Sequence, residues 1–471
     1  MKRIAILYLA YLFFAVFATD ANAEVKLPAI FGDNMVLQQQ AQVAVWGWAK
    51  PNVNVSVTGS WDRKTYSVKS DADGCWRVMI ATPTAGFTPY TLTVSDGKAV
   101  TFRNILIGEV WVCSGQSNMQ MPMGGLLNEP IDGGPEAIAF STNPGIRCFT
   151  VGRVAKVKPQ DDCTGEWEIA NPQTTPGFTA AGYFFGRLIN QVLNVPVGLI
   201  HTSWGGSAIE AWMTPNTLKD IPEKKIPASD DDIKNPVGTP TVLYNTMIHP
   251  LLGYGIRGAI WYQGESNRHE PDLYVKMFDA MVREWRNLWG MGEFPFYYCQ
   301  IAPYNYGGGL NSGYIREAQA KGMITTPNTG MAVLMDAESV HCIHPSKKRD
   351  AGERMALWAL ARTYGMDKMH YRSPQFQSLE MEGRVAVLTF DVEAYPGLTA
   401  YGKEILHFQV AGSDKAFYPA KAACLGNKVY VFSVYVSKPV AVRYCWDDTS
   451  GTELFSVTGN LPVSSFRTDD W

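Results

Sequence analysis

The sequence predicts a layered α/β domain with a mostly parallel sheet, set between two all-β regions. Two observations carry this. From about Leu106 to His370, short apolar strand candidates alternate with amphipathic helical stretches, the pattern of helices packed on a parallel sheet. On either side of that block the apolar period drops to two, with turn residues at short intervals, as in β-sandwiches.

Taken in order, residues 1–23 read as a secretory signal peptide. Lys2-Arg3 precedes an apolar run from Ile4 to Phe17, and Ala21-Asn22-Ala23 gives an A-x-A cleavage site before Glu24. The run is shorter than the roughly 20 apolar residues a membrane span needs. No later segment is apolar enough either, so the expectation is an exported protein, periplasmic by the bacterial look of the leader, with no membrane span in its mature form. Residues 24–105 form the N-terminal β-sandwich candidate. Val43 to Trp48, Val53 to Val57, Trp76 to Ile80 and Tyr90 to Val94 alternate between turns at Lys50-Pro51-Asn52, Asp71 to Gly74 and Ser95-Asp96-Gly97.

Residues 106–370 form the α/β block. Its strand candidates are Gly108 to Cys113, Val197 to Thr202, Ile256 to Tyr262, Phe294 to Ile301 and Met331 to Met335. One helix face is drawn by Ala181, Phe184, Phe185, Leu188 and Val192, and a longer one runs from Tyr274 to Leu288. Met355, Trp358 and Ala359 mark a third. Pro222 to Pro240, with four prolines and Asp230-Asp231-Asp232, reads as an exposed loop. Residues 371–471 return to the β pattern, with strand candidates at Val385 to Phe390, His407 to Val410, Lys428 to Val436 and Val440 to Trp446.

Composition bounds the function. A formal net charge of −3 over 471 residues gives no basic surface for nucleic acid. The eight cysteines show no C-x-x-C pair and no zinc spacing, and the one disulfide the sequence suggests is Cys148 with Cys163.

The informative polar stretches each follow a strand candidate. They are Gly115-Gln116-Ser117-Asn118, Ser203-Trp204-Gly205-Gly206-Ser207, Gln263-Gly264-Glu265-Ser266-Asn267 and Asp336 to Pro345. In an open α/β sheet the carboxyl ends of the strands share one crevice, so these four loops can converge. Together they hold the parts of an acyl transfer. Ser117 is the candidate nucleophile and His344 the candidate base. The backbone N–H groups of Gly206 and Ser117, with the side chain of Gln263 or Asn267, are candidates for the oxyanion hole, and Gln263 is the favoured side chain. Ser117 is followed by Asn118-Met119, so the G-x-S-x-G elbow is absent. Other readings compete: turns and helix caps for these loops, a metal on His341-x-x-His344, and a glycosidase using Glu265 and Asp336.

Gly115 to Met119, Trp204 to Ser207, Ile209-Glu210-Ala211-Trp212, Trp261 to Asn267 and Ile343-His344-Pro345 resemble the sialate O-acetylesterase family, within the SGNH-type esterases. Pro28 to Gln38 and Asn460 to Asp470 are similar to that family's terminal segments, so the resemblance spans nearly the whole chain after residue 23. It implies a flavodoxin-like SGNH hydrolase domain and removal of O-acetyl groups from sugars, with Ser117 as nucleophile, His344 as base and no metal or organic cofactor; O-acetylated sialic acids are the first expectation for the substrate. Gln116, Trp204 and Glu265 are the candidates to contact the substrate. Many SGNH enzymes carry an Asp three residues before the catalytic His, where this chain has His341. The acid that orients His344 is then Asp336 or Glu338, with Asp336 taken as the catalytic acid, or else a backbone carbonyl. An esterase acting on another acetylated glycan such as xylan, and a non-catalytic glycan-binding protein, are the alternatives.

Overall fold

The structure, a computed structural model, describes residues 25–337, 340–392 and 397–471. The leader-like segment at 1–23 and Glu338 lie outside them. Strand β1, Ala99–Gly115, is the longest element of the sheet at 17 residues and is buried without interruption from Ile105 onward. That follows from Ile105-Leu106-Ile107 and Val110-Trp111-Val112-Cys113, two apolar runs of the kind a strand covered on both faces requires, while Glu109 between them is buried against Arg257 at 2.9 Å. Its first half pairs antiparallel with Gly86–Ser95. Its second half pairs parallel with two strands of the α/β domain. The boundary expected at residue 105/106 therefore falls inside one strand, which carries the N-terminal sheet directly into the central one.

The central sheet continues with β2 (Asn143–Thr150), β3 (Trp167–Ala170), β4 (Val197–Ser203), β5 (Gly258–Tyr262), β6 (Phe296–Cys299) and β7 (Thr329–Ala332). They lie in the order β7-β6-β5-β1-β4-β2-β3. All pairings are parallel except that of β3, which closes the edge antiparallel to β2. Ranked along the chain, the six parallel strands run 2-3-1-4-5-6. The sheet is doubly wound like the flavodoxin order 2-1-3-4-5, but here the third parallel strand, not the second, borders the first. Connections leave β1 in opposite directions, so the crevice at the switch point opens at the carboxyl ends of β4, β1 and β5.

Helices α1 (Ser117–Gln120), α2 (Ala180–Leu193), α3 (Pro271–Trp289), α4 (Gly313–Thr325) and α5 (Lys348–Trp358) complete the layers. On one face α2 and α5 pack around Trp111, Phe184, Phe185, Tyr297 and Met355. A Cβ on Gly352 would lie 2.4 Å from the Ala181 carbonyl oxygen, so only glycine lets these helices approach so closely. The other face is an aromatic core of Trp212, Trp261, Phe278, Trp285 and Phe296.

Strand β2 and helix α4 are absent from the sequence reading. Asn143, Pro144 and Gly145 are turn formers and Arg147 is charged, so the local signal for a buried strand is weak. Yet Arg147 is buried, with its guanidinium on the carbonyls of Asn34, Asn104 and Pro144, so tertiary partners override the local signal.

Beyond residue 370 two four-stranded sheets face each other across Phe376, Phe390, Phe408, Tyr444 and Phe466. This region braces the catalytic edge. The amide of Tyr304 donates to Asp448 O and that of Thr452 to Met335 O. The fully buried Arg316 of α4 reaches Cys445 O and Ser465 Oγ. Among the described residues no helix is long and apolar enough to cross a membrane. All eight cysteines are free thiols; the suggested Cys148–Cys163 bond does not form, and Cys148 Sγ instead lies 3.8 Å from Thr150 Oγ1.

Candidate active site

Strand β1 ends on Gly115, whose φ of +133° and tight contact with β5 exclude a side chain: a Cβ there would sit 2.2 Å from Tyr262 O. Gln116 is extended, and Ser117 then opens the single turn of α1. Its hydroxyl, partly exposed at the carboxyl edge of the sheet, makes no hydrogen bond within the described protein. The Gly205-Gly206 turn after β4 lies directly against it, since a Cβ on Gly205 would come within 3.3 Å of Ser117 Cβ. Gln120 Oε1 accepts from the Gly205 amide at 2.6 Å and fixes that turn. The amides of Ser117 and Gly206 have no partner among the described residues and are free to donate to a bound group.

His344 sits in the loop between β7 and α5. Its Nδ1 lies 2.8 Å from Glu129 Oε2, which leaves the other ring nitrogen, Nε2, outside that bond. Glu129 is therefore the acid that orients the histidine, and Asp336 is not. The Asp336 carboxylate is instead held bidentate by Arg354, at 2.6 Å to each oxygen, and is fully engaged there. Glu129 comes from a tight turn closed by reciprocal backbone bonds between Leu126 and Glu129, both 2.9 Å, with Asn128 at the left-handed φ of 62° that asparagine tolerates. Cys342 Sγ approaches the other carboxylate oxygen of Glu129 at 3.5 Å and His344 O at 3.3 Å. The ligand atoms of Glu129, Cys342 and His344 lie within 4.8 Å of one another. His341 is exposed and is not part of that cluster, so His344 groups with Glu129 and Cys342 rather than with His341. Burial and the Glu129 carboxylate both push the Cys342 thiol up, so it stays protonated and acts as a donor to Glu129.

The remaining candidates are displaced inward. Gln263 is fully buried and its Nε2 donates to Ser207 O (3.1 Å) and Asn267 Oδ1 (2.7 Å). Asn267 donates to Glu210 Oε2 and accepts from the Ile209 amide, each at 2.9 Å. These side chains stitch the β4 and β5 loops together and are not oxyanion donors. Gln116 is 2% exposed and its Oε1 faces the amides of Gly264 and Ser266, both at 3.4 Å. Glu265 does not line the substrate crevice either. It accepts from Asn118 Nδ2 at 2.7 Å beneath the nucleophile, and burial pushes its carboxyl up against the opposing pull of His344 and Lys348. With Glu265 and Asp336 both engaged inside the protein, the two-carboxylate arrangement of a glycosidase is absent. Trp204 is half-buried at the head of the glycine turn, its amide on Gly115 O at 3.1 Å.

The family model described as "Carbohydrate esterase, sialic acid-specific acetylesterase" matches residues 107–360, from the middle of β1 through α5. The chain belongs to that family. Within this esterase family, the human protein named sialate O-acetylesterase is 30% identical, over 95% of this chain and 93% of its own length. The mouse protein of the same name is 29% identical over 89% of each. Among solved structures, a carbohydrate acetylesterase from Xanthomonas citri superposes with a TM-score of 0.86 at 38% identity, covering 95% of this chain and all of that one. The match extends across both flanking β regions, so the family's esterase domain and its supporting β modules go together here.

Proposed function

We propose that this chain is a serine esterase that removes O-acetyl groups from sialic acids by way of an acetyl-Ser117 intermediate. The observation that carries the reading is His344 fixed through Nδ1 by the Glu129 carboxylate at 2.8 Å, together with a partly exposed Ser117 at the end of β1 whose amide, like that of Gly206, has no partner among the described residues. His344 Nε2 takes the Ser117 proton as Oγ attacks the acetyl carbonyl. The tetrahedral oxyanion is held by the two amides. Its collapse breaks the bond to the sugar oxygen, which leaves with the proton returned by His344. Water, deprotonated by the same histidine, then attacks the acetyl-enzyme, and acetate and free Ser117 result.

The SGNH-type assignment goes with this reading, supported by a nucleophile at the end of the first parallel strand, a glycine turn after β4, and a late histidine. Export to the periplasm also belongs to it and rests on the leader pattern of residues 1–23. The sialate preference is supported by Arg268, on the β5 loop two residues beyond Ser266. Its guanidinium lies over the Tyr306 ring at 4.5 Å and donates to the carbonyls of Leu310 and Gly308. No carboxylate pairs with it among the described residues, which suits it to the carboxylate of an acidic sugar.

The test is acetate release from 9-O-acetylated sialic acid and from acetylated xylo-oligosaccharide, for the wild-type protein and Ser117→Ala. Release from the sialate ester that vanishes in the variant is expected. Release from xylan esters alone would shift the substrate to plant glycans, and no release above the Ser117→Ala background from either would refute the esterase.

A further inference from the structure

Three loops of the site meet on one buried amide. Asn118, the residue after Ser117, donates from Nδ2 to Ile343 O at 3.1 Å and to Glu265 Oε1 at 2.7 Å. Its Oδ1 accepts from Lys348 Nζ at 2.9 Å, and the same ammonium donates to Pro345 O at 2.5 Å. The two carbonyls so engaged stand immediately before and after His344. The backbone on both sides of the base is thus tied to the residue that follows the nucleophile, while Ser117 and His344 share no hydrogen bond of their own.

Lys348 is 1% exposed at the start of α5, and Glu265 is 8% exposed. Burying an ammonium costs several kcal/mol unless charge and hydrogen bonds offset it. Here the offset is indirect. The Asn118 amide lies between the two charges, its oxygen toward the ammonium and its nitrogen toward the carboxylate, the one orientation in which both ends are satisfied. Glu265 Oε2 is left buried without a partner, so the carboxylate is held in place for its charge rather than for a full set of hydrogen bonds.

We propose that Lys348 is a positioning residue for the esterase reaction: through Asn118 and Pro345 O it sets the distance between Ser117 and His344, with Glu265 as its counter-charge. This rests on the esterase reading above, but no part of that reading requires the lysine. The groups that face the ammonium are Glu265 from the β5 loop, Cys299 at the end of β6, Cys342 from the His344 loop and Glu129 from the turn after α1; burial outweighs them and brings Lys348 down to about 8. Below that value the ammonium is charged and the bridge is complete. As pH rises through it, the attraction across Asn118 to Glu265 is lost.

The experiment compares wild type with Lys348→Met, which keeps length and removes charge and donors, using acetate release from 9-O-acetylated sialic acid and thermal melting for the folded fraction. Expected are a fall in kcat of about 30-fold or more with KM within threefold, a decline in wild-type kcat above about pH 8, and no such decline in the variant. Glu265→Gln combined with Lys348→Met should cost less than the product of the two single losses, because each single variant strands a buried group. If Lys348→Met does not accumulate as folded protein, Asn118→Ala removes the bridge and must show the same loss in kcat with KM kept. A kcat within twofold of wild type in whichever variant folds, or a loss that falls on KM, overturns the positioning role while leaving the esterase intact. If wild type itself releases no acetate, the esterase reading fails and takes this role with it.

Discussion

Glu129→Gln separates the acid found in the structure from the acid expected in the sequence. During acylation the imidazole gains a proton while its Nδ1–H stays on the Glu129 carboxylate, 2.8 Å away. Two unit charges about 4 Å apart attract by roughly 4 kcal/mol at an effective dielectric of about 20. The pair is partly open to water, with the side chains 17% and 25% exposed, and screening therefore reduces the benefit. A loss of about 2–3 kcal/mol at the transition state remains, which is roughly 30- to 150-fold in kcat. Glutamine keeps the size of the side chain and the contact with Cys342, so KM should stay within about threefold. It can also offer an N–H to Nδ1 and favour the wrong tautomer, which would deepen the loss toward the ~10⁴-fold seen when a triad aspartate becomes asparagine. The assay is initial-rate acetate release, with kcat corrected for folded fraction by thermal melting. Asp336→Asn is the companion. It breaks the bidentate bond to Arg354, so it should lower thermal stability, yet leave kcat of the folded protein within threefold. Glu129→Gln within threefold of wild type, or Asp336→Asn with an equal loss in kcat, would refute the assignment.

Two further outcomes are expected. Arg268→Met should raise KM for O-acetylated sialic acid by about tenfold and leave acetylated xylose esters unchanged, since only the former brings a carboxylate to the unpaired guanidinium; equal effects on both substrates would remove Arg268 from specificity. His201, 5% exposed on β4 with Nε2 at 2.6 Å from Ser203 Oγ, is brought by burial from the usual 6.5 down to about 4. The unfolded chain then binds this proton more readily than the folded one. The stability it contributes is present above about pH 6.5 and is lost as pH falls through about 4, a change of about 3 kcal/mol. Urea unfolding across that range should show the slope in wild type and a flatter one in His201→Gln, and equal slopes would exclude His201 as its source.

What could be read from the sequence was the part of the molecule specified locally. Val110-Trp111-Val112-Cys113 followed by Gly115-Gln116-Ser117, and Val197 to Thr202 followed by Gly205-Gly206, are strands that end in turns. A sheet whose strands share a direction brings such turns to one edge whatever the exact strand order. Ser117, Gly206 and His344 were accessible for that reason. Glu129 was not: it stands on an irregular turn, 215 residues before His344, and nothing in Leu127-Asn128-Glu129-Pro130 marks a catalytic acid. Asp336 is nearer to His344 in sequence, but its carboxylate is taken by Arg354 on the next helix, at 2.6 Å to each oxygen, and a guanidinium fork is the stronger partner for a carboxylate.

The inward residues show the same division from the other side. Gln263, Asn267 and Glu265 stand on the loop that follows β5, where Gln-Gly-Glu-Ser-Asn after an apolar strand puts them, but none of them takes the oxyanion or substrate role expected of it. Their roles depend on which way each side chain turns, and that is set by partners on other loops: Ser207 and Glu210 for the amides, Asn118 for the carboxylate. A buried amide has to find both a donor and an acceptor, and the nearest ones here are backbone and side chains of the neighbouring loops rather than substrate. Convergence of loops at one edge thus creates two kinds of polar residue from similar sequence. Those at the surface of the crevice, Ser117, the Gly206 amide and His344, can do chemistry. Those one layer below hold the loops in register, and the crevice keeps its geometry only while that layer is complete.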